Sequence, residues 1–119
     1  MDAYNSEDIF IGIDGGASIT RGIIFDINGN TLAFLKSKGS NLAIYQEKAA
    51  DRICTMIENL ITKANVNRDL VRCIGLGIAG SSDNDGRDIL FKGLDGIKFS
   101  DKTLLTNDAE GAYQVCCPN

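Results

Sequence analysis

The stretch Ile9-Phe10-Ile11-Gly12-Ile13-Asp14-Gly15-Gly16-Ala17-Ser18 decides how this chain is read. A short apolar, β-branched run ends at Asp14-Gly15-Gly16, the pattern of a buried strand that stops in a turn. Outward from it, Gly22-Ile23-Ile24-Phe25-Asp26-Ile27 is a second strand, and Asn28-Gly29-Asn30 is a strong hairpin signal. Thr31 to Lys38 follows as a third strand, with Leu32, Phe34 and Lys36 sharing one face. Three consecutive antiparallel strands make a meander. Ser40-Asn41 then introduces a helix from about Tyr45 to Ala64. In it Ala49, Ala50, Ile53, Cys54, Ile57, Leu60, Ile61 and Ala64 recur at three- and four-residue spacing. Asn65 is its C-terminal cap. Val71 to Ala79 reads as another buried strand, Gly80-Ser81-Ser82-Asp83 as a loop and Gly86 to Leu94 as a short helix. Thr103 to Thr106 is a strand, and Asn107-Asp108 opens a final helix through Val115. The order β-β-β-α-β-α-β-α predicts an α/β fold, a mixed five-stranded sheet with helices on its faces.

The 119 residues make one domain or part of one. Hydrophobic residues at 44% and charged residues at 24% are ordinary globular proportions, which excludes a mainly disordered chain. Twelve Lys and Arg against sixteen Asp and Glu leave a net charge of −4, the wrong sign for nonspecific nucleic-acid binding. No apolar run approaches the roughly 20 residues that cross a bilayer, and no signal peptide opens the chain, so no membrane partner is expected and the expected compartment is the cytoplasm. With no histidine, His-based catalysis and His metal sites are excluded. Cys54, Cys73, Cys116 and Cys117 form no C-x-x-C pair. In a cytosol they are expected as reduced thiols, Cys54 and Cys73 as small core residues.

Three loops carry residue types suited to chemistry. In Asp14-Gly15-Gly16-Ala17-Ser18 the glycines let backbone N–H groups face an anion, Ser18 adds a hydroxyl, and Asp14 suits a hydrated Mg²⁺. The same residues also make an ordinary hairpin turn. Gly75-Leu76-Gly77-Ile78-Ala79-Gly80 fits G-x-G-x-x-G, but Ser81 to Gly86 is a poor helix start and Asp101 precedes a strand instead of ending one. Gly75 and Gly77 are therefore read as small residues inside a strand, with Gly80 as its turn. In Thr106-Asn107-Asp108-Ala109-Glu110-Gly111, Asp108 is either an N-cap or a carboxylate at the carboxyl edge of a central strand, where open α/β sheets collect ligands. Capping N–H groups there would hold its pKa down and keep it ionised.

Taken together the loops resemble the N-terminal lobe of a sugar kinase of the actin-like ATPase superfamily. The branch is the BadF/BadG/BcrA/BcrD-type group that includes N-acetylglucosamine kinases. Ile11 to Arg21 resembles the first phosphate motif, Gly39-Ser40-Asn41 a segment whose asparagine contacts the sugar, and Gly75 to Ser82 a buried strand with its sugar-side loop. Thr106-Asn107-Asp108-Ala109 resembles the segment bearing the catalytic aspartate.

The resemblance implies a ribonuclease-H-like lobe over residues 9–119, preceded by a flexible N-terminus at residues 1–8. It implies ATP and Mg²⁺ as cofactors and an amino sugar, N-acetylglucosamine, as substrate. Asp108 would be the catalytic base. Asp14, Gly15, Gly16 and Ser18 would hold the nucleotide phosphates, with Asp14 at the metal, and Asn41, Gly80, Ser81 and Ser82 would bind the sugar. A missing C-terminal lobe is the expected partner, with a homodimer as a further option. The chain reads as truncated before that lobe, and inactive alone. Two rivals share the resemblance: an ATPase activator of a 2-hydroxyacyl-CoA dehydratase system, which needs cluster-ligating cysteines, and a non-catalytic sugar-sensing domain.

Overall fold

The structure, a computed structural model, describes residues 7–107. Five strands form one sheet in the order β3-β2-β1-β4-β5. They are β1 (Ile9–Gly15), β2 (Ile19–Asp26), β3 (Thr31–Lys38), β4 (Val71–Ile78) and β5 (Thr103–Thr106). The meander pairs antiparallel, while β4 lies parallel to β1 and β5 parallel to β4. The mixed sheet expected from the sequence is present. The final helix expected after Asn107, with Asp108, Cys116 and Cys117, lies outside the described residues.

One core lies between the sheet and the helices. Along β1 the side chains alternate: Ile9, Ile11 and Ile13 join the helix-side core, whereas Phe10 stacks on Phe25 on the opposite face, ring centroids 5.7 Å apart. Helix α2 (Glu47–Ala64) lays Ala49, Ala50, Ile53, Met56, Ile57, Leu60 and Ile61 into that core. Each fully buried Ile or Leu there contributes about 1.5–3 kcal/mol of transfer free energy. Cys54 sits at the flank of this stripe as a half-buried free thiol. Cys73 is disulfide-bonded, so the expectation of reduced thiols does not hold for it.

The helix expected over about Tyr45 to Ala64 is present as α2, from Glu47, and a separate single turn precedes it. Asn41 Oδ1 accepts from the Ala43 and Ile44 amides and starts a single turn, α1 (Leu42–Tyr45). Gln46, at φ 44°, closes that turn onto the Leu42 carbonyl, and its own carbonyl takes the Ala50 amide that begins α2. Asn65 ends α2 in the left-handed region, as its sequence position predicts. Helix α3 (Asn84–Gly96) begins two residues ahead of the expected Gly86, because the Asp83 carboxylate caps the Gly86 amide at 2.8 Å.

The shared face of Leu32, Phe34 and Lys36 is the one turned away from the helices; Ala33 and Leu35 meet the core. On this edge strand Lys63 Nζ donates to the Phe34 carbonyl at 3.2 Å, and the Lys36 ammonium lies 6.0 Å from the Phe34 ring centroid. Asp8, placed by sequence in the N-terminal tail, is buried and faces Arg72 at 3.6 Å. Among the described residues no helix is long and apolar enough to cross a membrane.

Candidate functional site

Strands β1, β4 and β5 run parallel, so their carboxyl ends share one edge of the sheet. The meander brings the start of β2 and the end of β3 to that same edge. Four separate segments therefore meet there: the β1–β2 loop, the Gly39-Ser40-Asn41 segment, the turn after β4, and Asn107 after β5.

Backbone hydrogen bonds join the first three, and a side-chain bond from Ser81 reaches Asn107. Ala79 donates to the Gly15 carbonyl at 2.8 Å, Leu42 to the Ala79 carbonyl at 2.9 Å, and Ser40 to the Gly16 carbonyl at 3.0 Å. Ser40 is fully buried, its Oγ standing where a side chain on Gly15 would go. Thr20 Oγ1 lies 2.7 Å from both the Lys38 carbonyl and Ser40 Oγ. A hydroxyl carries one proton, so Thr20 donates to the carbonyl and Ser40 donates to Thr20. This buried pair ties β2 to the start of the Ser40 segment.

The β1–β2 loop differs from its sequence reading in one respect. Gly15 is held in the ladder between β2 and β4, and the Gly16 amide donates to the Ile19 carbonyl at 2.9 Å. The backbone donors left over are those of Ala17 and Ser18, both exposed and without a partner among the described residues. The glycines make the turn, and the residues after them carry the available N–H groups.

Asp14 is exposed and makes no ion pair among the described residues. Its cross-strand partner is Arg21 on β2, and the row continues to Lys36 on β3, Gly77 on β4 and Thr106 on β5. These five residues occupy one face, opposite the helices, next to the loop. Arg21, exposed and beside Asp14, is the charged residue that the sequence reading did not single out. Its signal was its register, seven positions after Asp14 across a tight hairpin, which is legible only once the turn is placed.

The remaining candidates fall close by with unequal freedom. Asn41 Oδ1 is engaged as the α1 cap, which leaves its side-chain NH₂ as the group able to donate. Gly80, at φ 77°, is pressed against that cap: a Cβ there would lie 2.4 Å from Asn41 Oδ1 and 2.6 Å from the Ala43 nitrogen. Ser81 is buried, its hydroxyl donating to Asn107 Oδ1 and its carbonyl accepting from Arg87 at 3.3 Å. Ser82 is exposed. The Ser81–Asn107 bond fixes the chain at this edge immediately before position 108. Gly75 and Gly77 lie inside β4, and the G-x-G-x-x-G segment is strand and turn, not a dinucleotide turn.

No protein-family model and no curated protein matches the chain in sequence. Solved structures do match it in fold. A candidate N-acetylglucosamine kinase from Chromobacterium violaceum superposes with a TM-score of 0.62 at 22% identity, over 86% of this chain and 35% of that one. ROK hexokinase from Thermus thermophilus gives 0.58 at 19% identity, over 82% of this chain and 34% of that one. The chain thus spans about a third of the length of these structures. The α/β fold of this chain is thus shared with part of each of these two kinases.

Proposed function

We propose that this chain is the N-terminal lobe of an ATP-dependent sugar kinase. Within the BadF/BadG/BcrA/BcrD-type group we place it in the N-acetylglucosamine kinase branch, with an amino sugar as acceptor. The observation that carries the reading is the convergence of the β1–β2 loop, the Asn41 segment, the turn after β4 and the residue before Asp108 on one sheet edge. ATP and Mg²⁺ fit the residues present. The Ala17 and Ser18 amides and the Ser18 hydroxyl are donors turned to solvent, Arg21 adds a positive charge, and Asp14 offers an unpaired carboxylate.

In this reading the loop amides and Arg21 bind phosphate oxygens, and Asp14 holds Mg²⁺ through water. Bound Mg²⁺ neutralises charge on the phosphates. The Asn41 NH₂ and Ser82 hold sugar oxygens. Asp108 accepts the proton of the acceptor hydroxyl as its oxygen takes the phosphoryl group and ADP leaves. Such transfer depends on positioning and charge stabilisation more than on reactive side chains, which suits a chain without histidine.

The test is phosphoryl transfer from Mg·ATP to N-acetylglucosamine, with glucose as comparison acceptor, by the complete product of the gene. Asp108→Asn should lower kcat by about 10²–10⁴-fold with sugar binding retained. Undiminished turnover would remove Asp108 from its role, and a preference for glucose would remove the amino sugar.

A further inference from the structure

We propose that Tyr45 and Arg52 are positioning residues of the β1–β2 loop: they hold the Ala17 carbonyl and thereby fix where the Ser18 amide points. The inference rests on the reading of that amide as a phosphate donor, and it names what aims it.

A trans peptide sets its C=O and the following N–H in opposite directions, and no described peptide is cis. Anchoring a carbonyl therefore aims the next amide the other way. Two successive loop carbonyls are anchored. Gly16 C=O accepts from the Ser40 amide at 3.0 Å, which turns the Ala17 N–H away from the Ser40 segment. Ala17 C=O accepts from the Tyr45 hydroxyl at 3.3 Å, which does the same for the Ser18 N–H. The first anchor is a backbone hydrogen bond and needs no particular side chain. The second is a side chain reaching back 28 residues, and it belongs to this sequence.

Tyr45 is itself held. The Arg52 guanidinium lies 5.2 Å from its ring centroid, and Arg52 Nη1 donates to the Gly39 carbonyl at 2.6 Å. Gly39 in turn abuts the loop, since a Cβ at that position would lie 2.1 Å from the Ala17 oxygen. Ala17, Tyr45, Arg52 and Gly39 thus close a ring of contacts. Through Gly39 the ring includes the segment that leads to Asn41, so an unbroken chain of contacts joins the phosphate-side donors to the sugar-side segment.

The experiment is ¹⁵N NMR of the full 119-residue chain and its Tyr45→Phe and Arg52→Lys variants, free and titrated with Mg·ATP. In Tyr45→Phe the ligand-free Ala17 and Ser18 amide resonances should move while those of Ala43 and Ile44, held by the Asn41 cap, stay in place. Affinity for Mg·ATP should fall about 3- to 10-fold, the equivalent of one neutral hydrogen bond. Arg52→Lys keeps the charge but loses the planar stacking, and should shift the same two amides in the same direction. Unchanged Ala17 and Ser18 resonances in both variants would overturn the proposal, as would shifts spread evenly through the core. If the wild-type chain alone does not bind Mg·ATP, the ligand-free shifts decide whether Tyr45 and Arg52 aim the loop, and the nucleotide reading is decided separately by the transfer assay on the complete product of the gene.

Discussion

Replacing Gly80 by alanine tests the close packing of the site against a control within the same chain. Gly80 and Gly29 both have positive φ, 77° and 83°. At Gly29 an added Cβ meets nothing within 4 Å, so Gly29→Ala carries only the backbone term. A left-handed L-residue costs about 1–2 kcal/mol, and the lower entropy of the unfolded chain returns part of it, leaving about 1 kcal/mol. At Gly80 the same term is joined by overlap with Asn41 Oδ1 at 2.4 Å and the Ala43 nitrogen at 2.6 Å. One of these is backbone and the other is locked in a cap, so neither yields by a simple rotamer change. Overpacking of this kind adds about 1–3 kcal/mol, for a total of about 2–4 kcal/mol. Urea unfolding followed by far-ultraviolet circular dichroism gives both values, and their difference isolates the steric part. Equal costs for the two variants would refute the contact between the turn after β4 and the α1 cap.

Two further outcomes follow from titrating groups. Burial, with Asp51 and Glu58 nearby, pushes the Cys54 thiol up to about 11, so at pH 8 its alkylation by iodoacetamide should be roughly 100-fold slower in the folded chain than in urea. Equal rates at the Cys54 peptide by mass spectrometry would place that thiol in solvent. Asp26 is held below its ordinary value, first by the Asn30 backbone N–H and then by the Asn30 side chain and the Asn28 and Gly29 amides. Because the folded value is the lower one, its contribution is fully present above the unfolded pKa and is lost as pH falls through the folded pKa. A carboxyl NMR titration midpoint at or above 3.8 would contradict this.

How far the sequence could be read varies with the range of the forces involved. The boundaries of β3 and the end of α2 at Asn65 follow from local pattern, and the structure reproduces them. The break at Gln46 was not legible, because it depends on the Asn41 cap competing with helix propensity that is continuous across Tyr45 to Ala50. The start of α3 was missed for a related reason: a run of Ser, Asp, Asn and Gly reads as loop, yet Asp83 makes it a capped helix start. At the site, the glycines marked the turn, but which amides remain free depends on the Gly16 to Ile19 bond, a property of the closed loop. Arg21 beside Asp14 required the register of the hairpin. Ser81 reads from sequence as a loop residue on the sugar side, and only the placement of Asn107, far along the chain, shows its hydroxyl buried and engaged.

The cations beside Phe34 on β3 bear on how this molecule behaves in a crowd. An outermost strand of eight residues offers a row of carbonyls and amides to which another chain can add. Here an ammonium from α2 already occupies the Phe34 carbonyl, and a second lies over the ring of the same residue. A would-be added strand must first displace a solvated charge and then lie against positive side chains. Two lysines at the rim thus raise the cost of pairing a further strand beside Phe34.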